Sequence, residues 1–84
     1  MGKNKQPVKL LRIAAAAQAA GVSKQSLQYY LLVGLLEPST RSPSGQQLFD
    51  EKALERIRLV KKLNDSGYPL REIREIFLRN KKIP

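Results

Sequence analysis

The chain has 84 residues, enough to bury one small hydrophobic core and not two. Sixteen Lys and Arg against seven Asp and Glu leave a net charge of +9, which suits a polyanionic partner, nucleic acid before acidic membrane. With no Cys and no His, disulfides, thiolate nucleophiles, iron–sulfur clusters and the usual zinc and copper ligands are excluded.

Without an acidic pair, a Gly-rich phosphate loop or a serine elbow, the chain is not expected to be an enzyme, and no cofactor or metal site is expected. No apolar run approaches the ~18 residues of a membrane span, so no membrane partner is expected. The expectation is a soluble, cytoplasmic, nucleoid-associated protein.

Residues 1–11 carry Lys3, Lys5 and Lys9 without an apolar h-region, which reads as a flexible basic arm rather than a secretory signal. No acid occurs before Glu37, and Arg12 extends this cationic stretch. A domain is expected over 12–79, followed by a fraying tail over 80–84.

The first helix is predicted from about Arg12 to Ala20, where Ile13, Ala16, Ala17 and Ala20 share one face. Gly21 stops it, and Ser23 is placed to cap a second helix running to Val33 and ending at Gly34. At 100° per residue, Leu27, Tyr30 and Leu31 cluster on one side of that helix. Gln25, Gln28 and Tyr29 point the other way. A short helix, a turn at Gly21 and a capped helix with a polar outer stripe form a helix-turn-helix layout. In that layout the start of the second helix meets base edges in the major groove, which makes Ser23, Lys24, Gln25 and Gln28 candidates for DNA contact.

Between Leu36 and Phe49 lies a stretch rich in turn formers. Its apolar ends, Leu35/Leu36 and Leu48/Phe49, are expected to pair across a hairpin. Beside a helix-turn-helix such a hairpin reads as a wing with Arg41 near phosphate height, or else as a surface loop. Asp50 caps a third helix whose apolar residues spread widely, so it is expected to lie between the helix-turn-helix and a fourth helix. Arg56, Arg58, Lys61 and Lys62 read as its solvated face. Gly67 ends it, Tyr68 folds back, and Pro69 starts a short last helix with Leu70, Ile73, Ile76 and Phe77 inward. Arg71 sits in its first turn, where free N–H groups favour phosphate.

The string Gly21-Val22-Ser23-x-x-Ser26-Leu27-x-Tyr29-Tyr30-x-x-x-Gly34-Leu35-Leu36-x-Pro38 resembles the N-terminal DNA-binding domain of MerR-family transcription regulators. The similarity continues through Arg41, Ser44-Gly45, Leu48-Phe49, Leu54 and Ile57, then Gly67-Tyr68-Pro69-Leu70-x-Glu72-Ile73. It implies a mostly α winged helix-turn-helix of about four helices with a small β-hairpin wing, and a second wing from the last helical pair. The partner it implies is double-stranded DNA. It also implies that Tyr29, Tyr30 and the wing residues grip phosphates, Tyr30 lying half in the core with only its hydroxyl available.

Three departures stand out. Gln28 occupies the place of an arginine usual in the family, and Leu31 and Leu32 follow the tyrosine pair where Glu is usual. Gln46-Gln47 replace Tyr-Arg in the wing, leaving Gln47 as the wing's candidate contact. Neutral amides hydrogen-bond but release no counterions, so binding is expected to depend less on salt, with Lys3, Lys5, Lys9 and Arg12 compensating. The chain ends at Pro84, before the long dimerising helix and effector domain that the resemblance implies, and no small-molecule effector site is expected. Two alternatives remain on the same fold: a protein-interaction adaptor using Leu31/Leu32 toward itself or another protein, and an excision or architectural DNA-binding factor. Leu32 is expected to be an exposed apolar residue, packed under Val8, Leu10 or Leu11 or marking a protein contact.

Overall fold

A computed structural model of the protein describes residues 9–82, with side chains through Arg79. Lys3, Lys5 and Val8 lie outside the described residues. In chain order the elements are β1 (Leu11–Arg12), α1 (Ile13–Ala20), α2 (Lys24–Leu32), β2 (Thr40–Arg41), β3 (Gln47–Phe49), α3 (Glu51–Asp65) and α4 (Leu70–Lys82). The fold is a four-helix winged helix-turn-helix with a small antiparallel sheet.

Both helices of the helix-turn-helix end in the same motif. At Gly21 (φ +78°) the amide donates to Gln18 O at 3.2 Å, and the next amide, of Val22, reaches back to Ala17 O at 3.0 Å. At Gly34 (φ +83°) the pair is Gly34 to Leu31 O at 3.2 Å and Leu35 to Tyr30 O at 2.9 Å. These bonds satisfy carbonyls the helix leaves orphaned, and the left-handed residue that makes them possible is cheap only for glycine. Gly67 closes α3 in the same way, with Tyr68 N donating to Leu63 O at 3.1 Å.

The helix starts are held by side chains. Ser23 Oγ accepts from Ser26 N at 3.0 Å and donates to Ser26 Oγ at 2.9 Å, so the hydroxyl of Ser26 occupies the place where a capping box would put Glu or Gln. Asp50 accepts from Ala53 N at 3.0 Å and from Ser39 Oγ at 2.8 Å, while its own amide donates to Ser39 Oγ at 2.9 Å. These bonds hold the Asp50 carboxyl below its ordinary range, the Ala53 amide contributing most. They also tie the entry of the wing, at Ser39, to the start of α3.

The sheet departs from expectation. Its order is β1-β3-β2, with Leu11 opposite Phe49, Arg12 opposite Leu48, Thr40 opposite Leu48 and Arg41 opposite Gln47. Leu35 and Leu36 do not pair across the hairpin: both are buried in the core. The amide of Leu35 is already used in closing α2, and Pro38 breaks the segment before a strand can form. The free edge of β3 is taken instead by Leu11–Arg12, so the arm expected over 1–11 gives up its last residue to the sheet and the first helix begins at Ile13, not Arg12. The last helix is thirteen residues long rather than short, and continues through Lys82 into the segment expected as a tail.

The core is one cluster. Ala16, Ala17 and Ala20 from α1 bring that helix close to Leu27 and Tyr30 of α2 and to Leu54, Ile57 and Val60 of α3, with Phe49 closing it from the sheet and Ile73 from α4. Helix α3 contacts both α1 and α4, the sandwiched position its wide apolar arc predicts.

Candidate nucleic-acid interface

Three elements converge on an open cleft. Its lining is Arg12, Ile13 and Ala14 at the start of α1, Lys24 at the start of α2, and Arg41, Gly45, Gln46 and Gln47 from the wing. Three cations and no acid line it. Neither α1 nor α2 carries an acid in its first turn, so the positive ends of both helix dipoles stay unneutralised beside the cleft. Arg12 is the N-cap of α1, and its guanidinium, which has donors and no acceptor, cannot make the capping bond.

The wing that brings Arg41 there is built from short local bonds. Gly45 N donates to Ser42 O at 2.8 Å, Ser42 N to Gln46 O at 2.9 Å, and Gln46 N to Ser42 Oγ at 3.1 Å. Arg41 and Gln47 are cross-strand partners at the base of that turn. Four of the residues selected from the sequence, Arg12, Lys24, Arg41 and Gln47, thus share one cleft.

Gln25, Gln28 and Tyr29 form a second group. All three are exposed on the outer side of α2, with Tyr29 half accessible at 51%. They do not line the cleft; they continue the surface of α2 away from it. Arg71 is exposed in the first turn of α4 and stands apart from the cleft lining.

Two selected residues have structural positions. The hydroxyl of Ser23 is occupied by its capping bonds. Tyr30 is 6% exposed, packed among the core residues beneath α2 and not on the outward stripe with Tyr29. Burial, with the Asp65 carboxylate nearby, raises its pKa, and its ring takes the core position that its phase with Leu27 and Leu31 predicts. The reason is helical phase: one residue rotates the side chain by 100° from Tyr29, into the α1–α3 side.

Leu31 and Leu32 are split in the same way. Leu31 packs against the core, whereas Leu32 is 80% exposed and therefore is not covered by Leu10 or Leu11. Arg56 is exposed on α3 as expected, and it also reaches two neighbours: its guanidinium stacks 3.9 Å from the Phe77 ring and its Nε donates to Leu35 O at 3.3 Å. Sequence reading missed Gln46 as part of the cleft, and it missed β1, because two residues show no strand periodicity.

No helix among the described residues is long and apolar enough to cross a membrane. The family described as MerR HTH family regulatory proteins matches residues 11–80. The nodulation protein NolA of Bradyrhizobium elkanii is 34% identical over 64 residues, covering 76% of this chain and 29% of NolA. The mercuric resistance operon regulatory protein of Bacillus cereus is 29% identical over 62 residues, covering 74% of this chain and 47% of that protein. The chain thus spans less than half the length of either relative. Among solved structures, HiNmlR, described as a MerR family regulator lacking the sensor domain, bound to promoter DNA, superimposes with a TM-score of 0.82 at 26% identity, covering 90% of this chain and 58% of that one. With the family pattern spanning most of its length and the same winged architecture, this chain belongs to the MerR family of helix-turn-helix regulatory proteins.

Proposed function

We propose that the domain binds double-stranded DNA as the DNA-binding part of a transcription regulator, acting in the cytoplasm on the chromosome. Helix α2 enters the major groove, where Gln25 and Gln28 meet base edges; paired donor and acceptor atoms of an amide match the N6 and N7 positions of adenine. Arg12, Lys24 and Arg41 hold the flanking phosphates from the cleft, Gln47 adds a neutral hydrogen bond there, and Arg71 reaches the backbone from α4.

The observation that carries this reading is the acid-free cleft of three cations next to an exposed amide stripe on one helix. The promoter-DNA complex of HiNmlR, with the same fold, supports it. The neutral Gln28, Gln46 and Gln47 limit the electrostatic share. With four phosphate contacts from Arg12, Lys24, Arg41 and Arg71, log K should fall against log salt with a slope of about −3 to −4.

The test is fluorescence anisotropy with a duplex selected by this protein from a randomised pool, titrated over ionic strength. A slope in that range, with one sequence preferred over scrambled duplex, is the expected result. Failure to enrich any duplex, with no binding at low salt, overturns the reading.

A further inference from the structure

Leu32 is the most exposed of the large hydrophobic side chains among the described residues, at 80%. It is the last residue of α2, and its helical phase is informative. Taking Gln25 as 0°, Gln28 falls at about 300°, Tyr29 at about 40° and Leu32 at about 340°, from 100° per residue. Leu32 therefore lies inside the arc of the polar stripe, between Gln25 and Gln28, and not at its margin. The apolar residues on the opposite side, Leu27 and Tyr30, are buried, and Leu31 and the C-cap residue Val33 pack against the core, which leaves Leu32 alone among the apolar residues of this end on the outer side.

We propose that Leu32 is a specificity-determining residue that packs against the C5-methyl group of a thymine in the major groove. The inference rests on the DNA-binding reading above and deepens it. A residue on the groove-facing stripe that can neither donate nor accept a hydrogen bond has one apolar feature to meet there, the thymine methyl. Leu32 stands seven positions after Gln25, about 10.5 Å along the axis, so with Gln25 at the base edges it meets a base further along the groove when the helix axis runs along that groove. The neighbouring chemistry agrees, because Gln28 is one turn before Leu32 and an amide pairs with adenine, so both side chains favour an A·T-rich stretch. Continuity with the amide stripe selects this occupant over a second protein, which would have to cover Gln28 and Tyr29 as well.

The test uses the duplex enriched by this protein, with each thymine replaced in turn by deoxyuridine, which removes only the methyl group. Wild-type protein should lose about three- to fivefold in affinity at one or two positions, the worth of one methyl group buried. Leu32→Ala should bind the thymine duplex three- to fivefold more weakly and show no thymine–uracil difference at those positions. Because Leu32 is so exposed, its removal leaves the fold intact, which unchanged thermal unfolding verifies. The proposal is overturned if no position responds in the wild type, or if Leu32→Ala keeps the full uracil response. It is equally overturned if Leu32→Ala alters sedimentation but not duplex affinity, which would give Leu32 to a protein contact. In each of these cases duplex binding survives. If no duplex is enriched at all, the DNA-binding reading falls first and this proposal with it.

Discussion

The guanidinium of Arg56, on α3, lies 3.9 Å from the centre of the Phe77 ring on α4 while its Nε donates to the carbonyl of Leu35 at 3.3 Å. One side chain thus joins three parts of the chain: α3, the residue that follows the helix-turn-helix, and the last helix. Arg74 lies over the same junction, its Nε so near Gly34 that an added Cβ would sit 3.2 Å from it. The position of α4, and with it of Arg71, is set by the burial of Ile73 with Leu70 and Phe77 against the core, and the Arg56 contacts add to it. Replacing Arg56 by Ala should cost about 1–2 kcal/mol, the sum of an exposed cation–π contact and one long hydrogen bond. A double-mutant cycle with Phe77→Leu in urea unfolding should return a coupling of about 0.5–1 kcal/mol. Additive losses would show that the stacking contributes nothing.

Asp50 links pH to stability. Its carboxylate accepts from Ala53 N and Ser39 Oγ, and these bonds favour the charged form, placing the folded pKa below the ordinary 3.8. Protons therefore bind the unfolded chain more tightly. The stabilisation is complete above the ordinary value and is lost as pH falls through the folded value. The urea midpoint of the wild type should drop between pH 5 and pH 3 more steeply than that of Asp50→Asn, which keeps an acceptor but not the charge. Asp50→Ala should lose about 1 kcal/mol at neutral pH through the missing cap. Parallel pH curves for wild type and Asp50→Asn would remove Asp50 from the account.

The helices were legible because their signals are local. Ser23 and Asp50 mark starts, Gly21, Gly34 and Gly67 mark ends, and the apolar spacing of α3 shows that it is covered on two sides. The sheet was less legible. Strand β1 has two residues, too few for alternation, and pairs with a distant strand, Leu11 lying opposite Phe49, 38 positions on. The leucines that seemed suited to a hairpin are consumed by the helix end at Gly34 and by the core. The amide stripe followed from phase arithmetic, which also put Tyr30 beneath it, and the same arithmetic carried one turn further puts Leu32 on the stripe. The cleft is a tertiary product: Arg12, Lys24 and Arg41 come together only once β1 and the wing both pair with β3, and no spacing in the chain announces that.

Charge and readout separate by salt. Arg12→Ala, Lys24→Ala and Arg41→Ala should each weaken every duplex alike and reduce the magnitude of the salt slope by about 1. Gln25→Ala carries no charge change, so the slope should stay where it was while discrimination between the enriched and scrambled duplexes shrinks by about 1–3 kcal/mol. An equal loss on every sequence from Gln25→Ala would remove it from base readout and make it a backbone contact.

The adjacent tyrosines divide by burial. Tyr29 is half accessible on the outer stripe, whereas Tyr30 is 6% exposed, its pKa raised by that burial with Asp65 adding to it. The ring of Tyr30 is therefore expected to act through packing. Tyr30→Phe should leave duplex affinity within about twofold, while Tyr30→Ala should cost about 3–5 kcal/mol of stability as a large-to-small core change. Tyr29 has the opposite profile: Tyr29→Phe should weaken duplex binding about three- to tenfold, the worth of one hydrogen bond from its hydroxyl to phosphate, with little change in unfolding. If Tyr30→Phe proves the more damaging to affinity, the hydroxyl of Tyr30 must reach the backbone from the core edge, and the assignment of phosphate contact to Tyr29 is reversed.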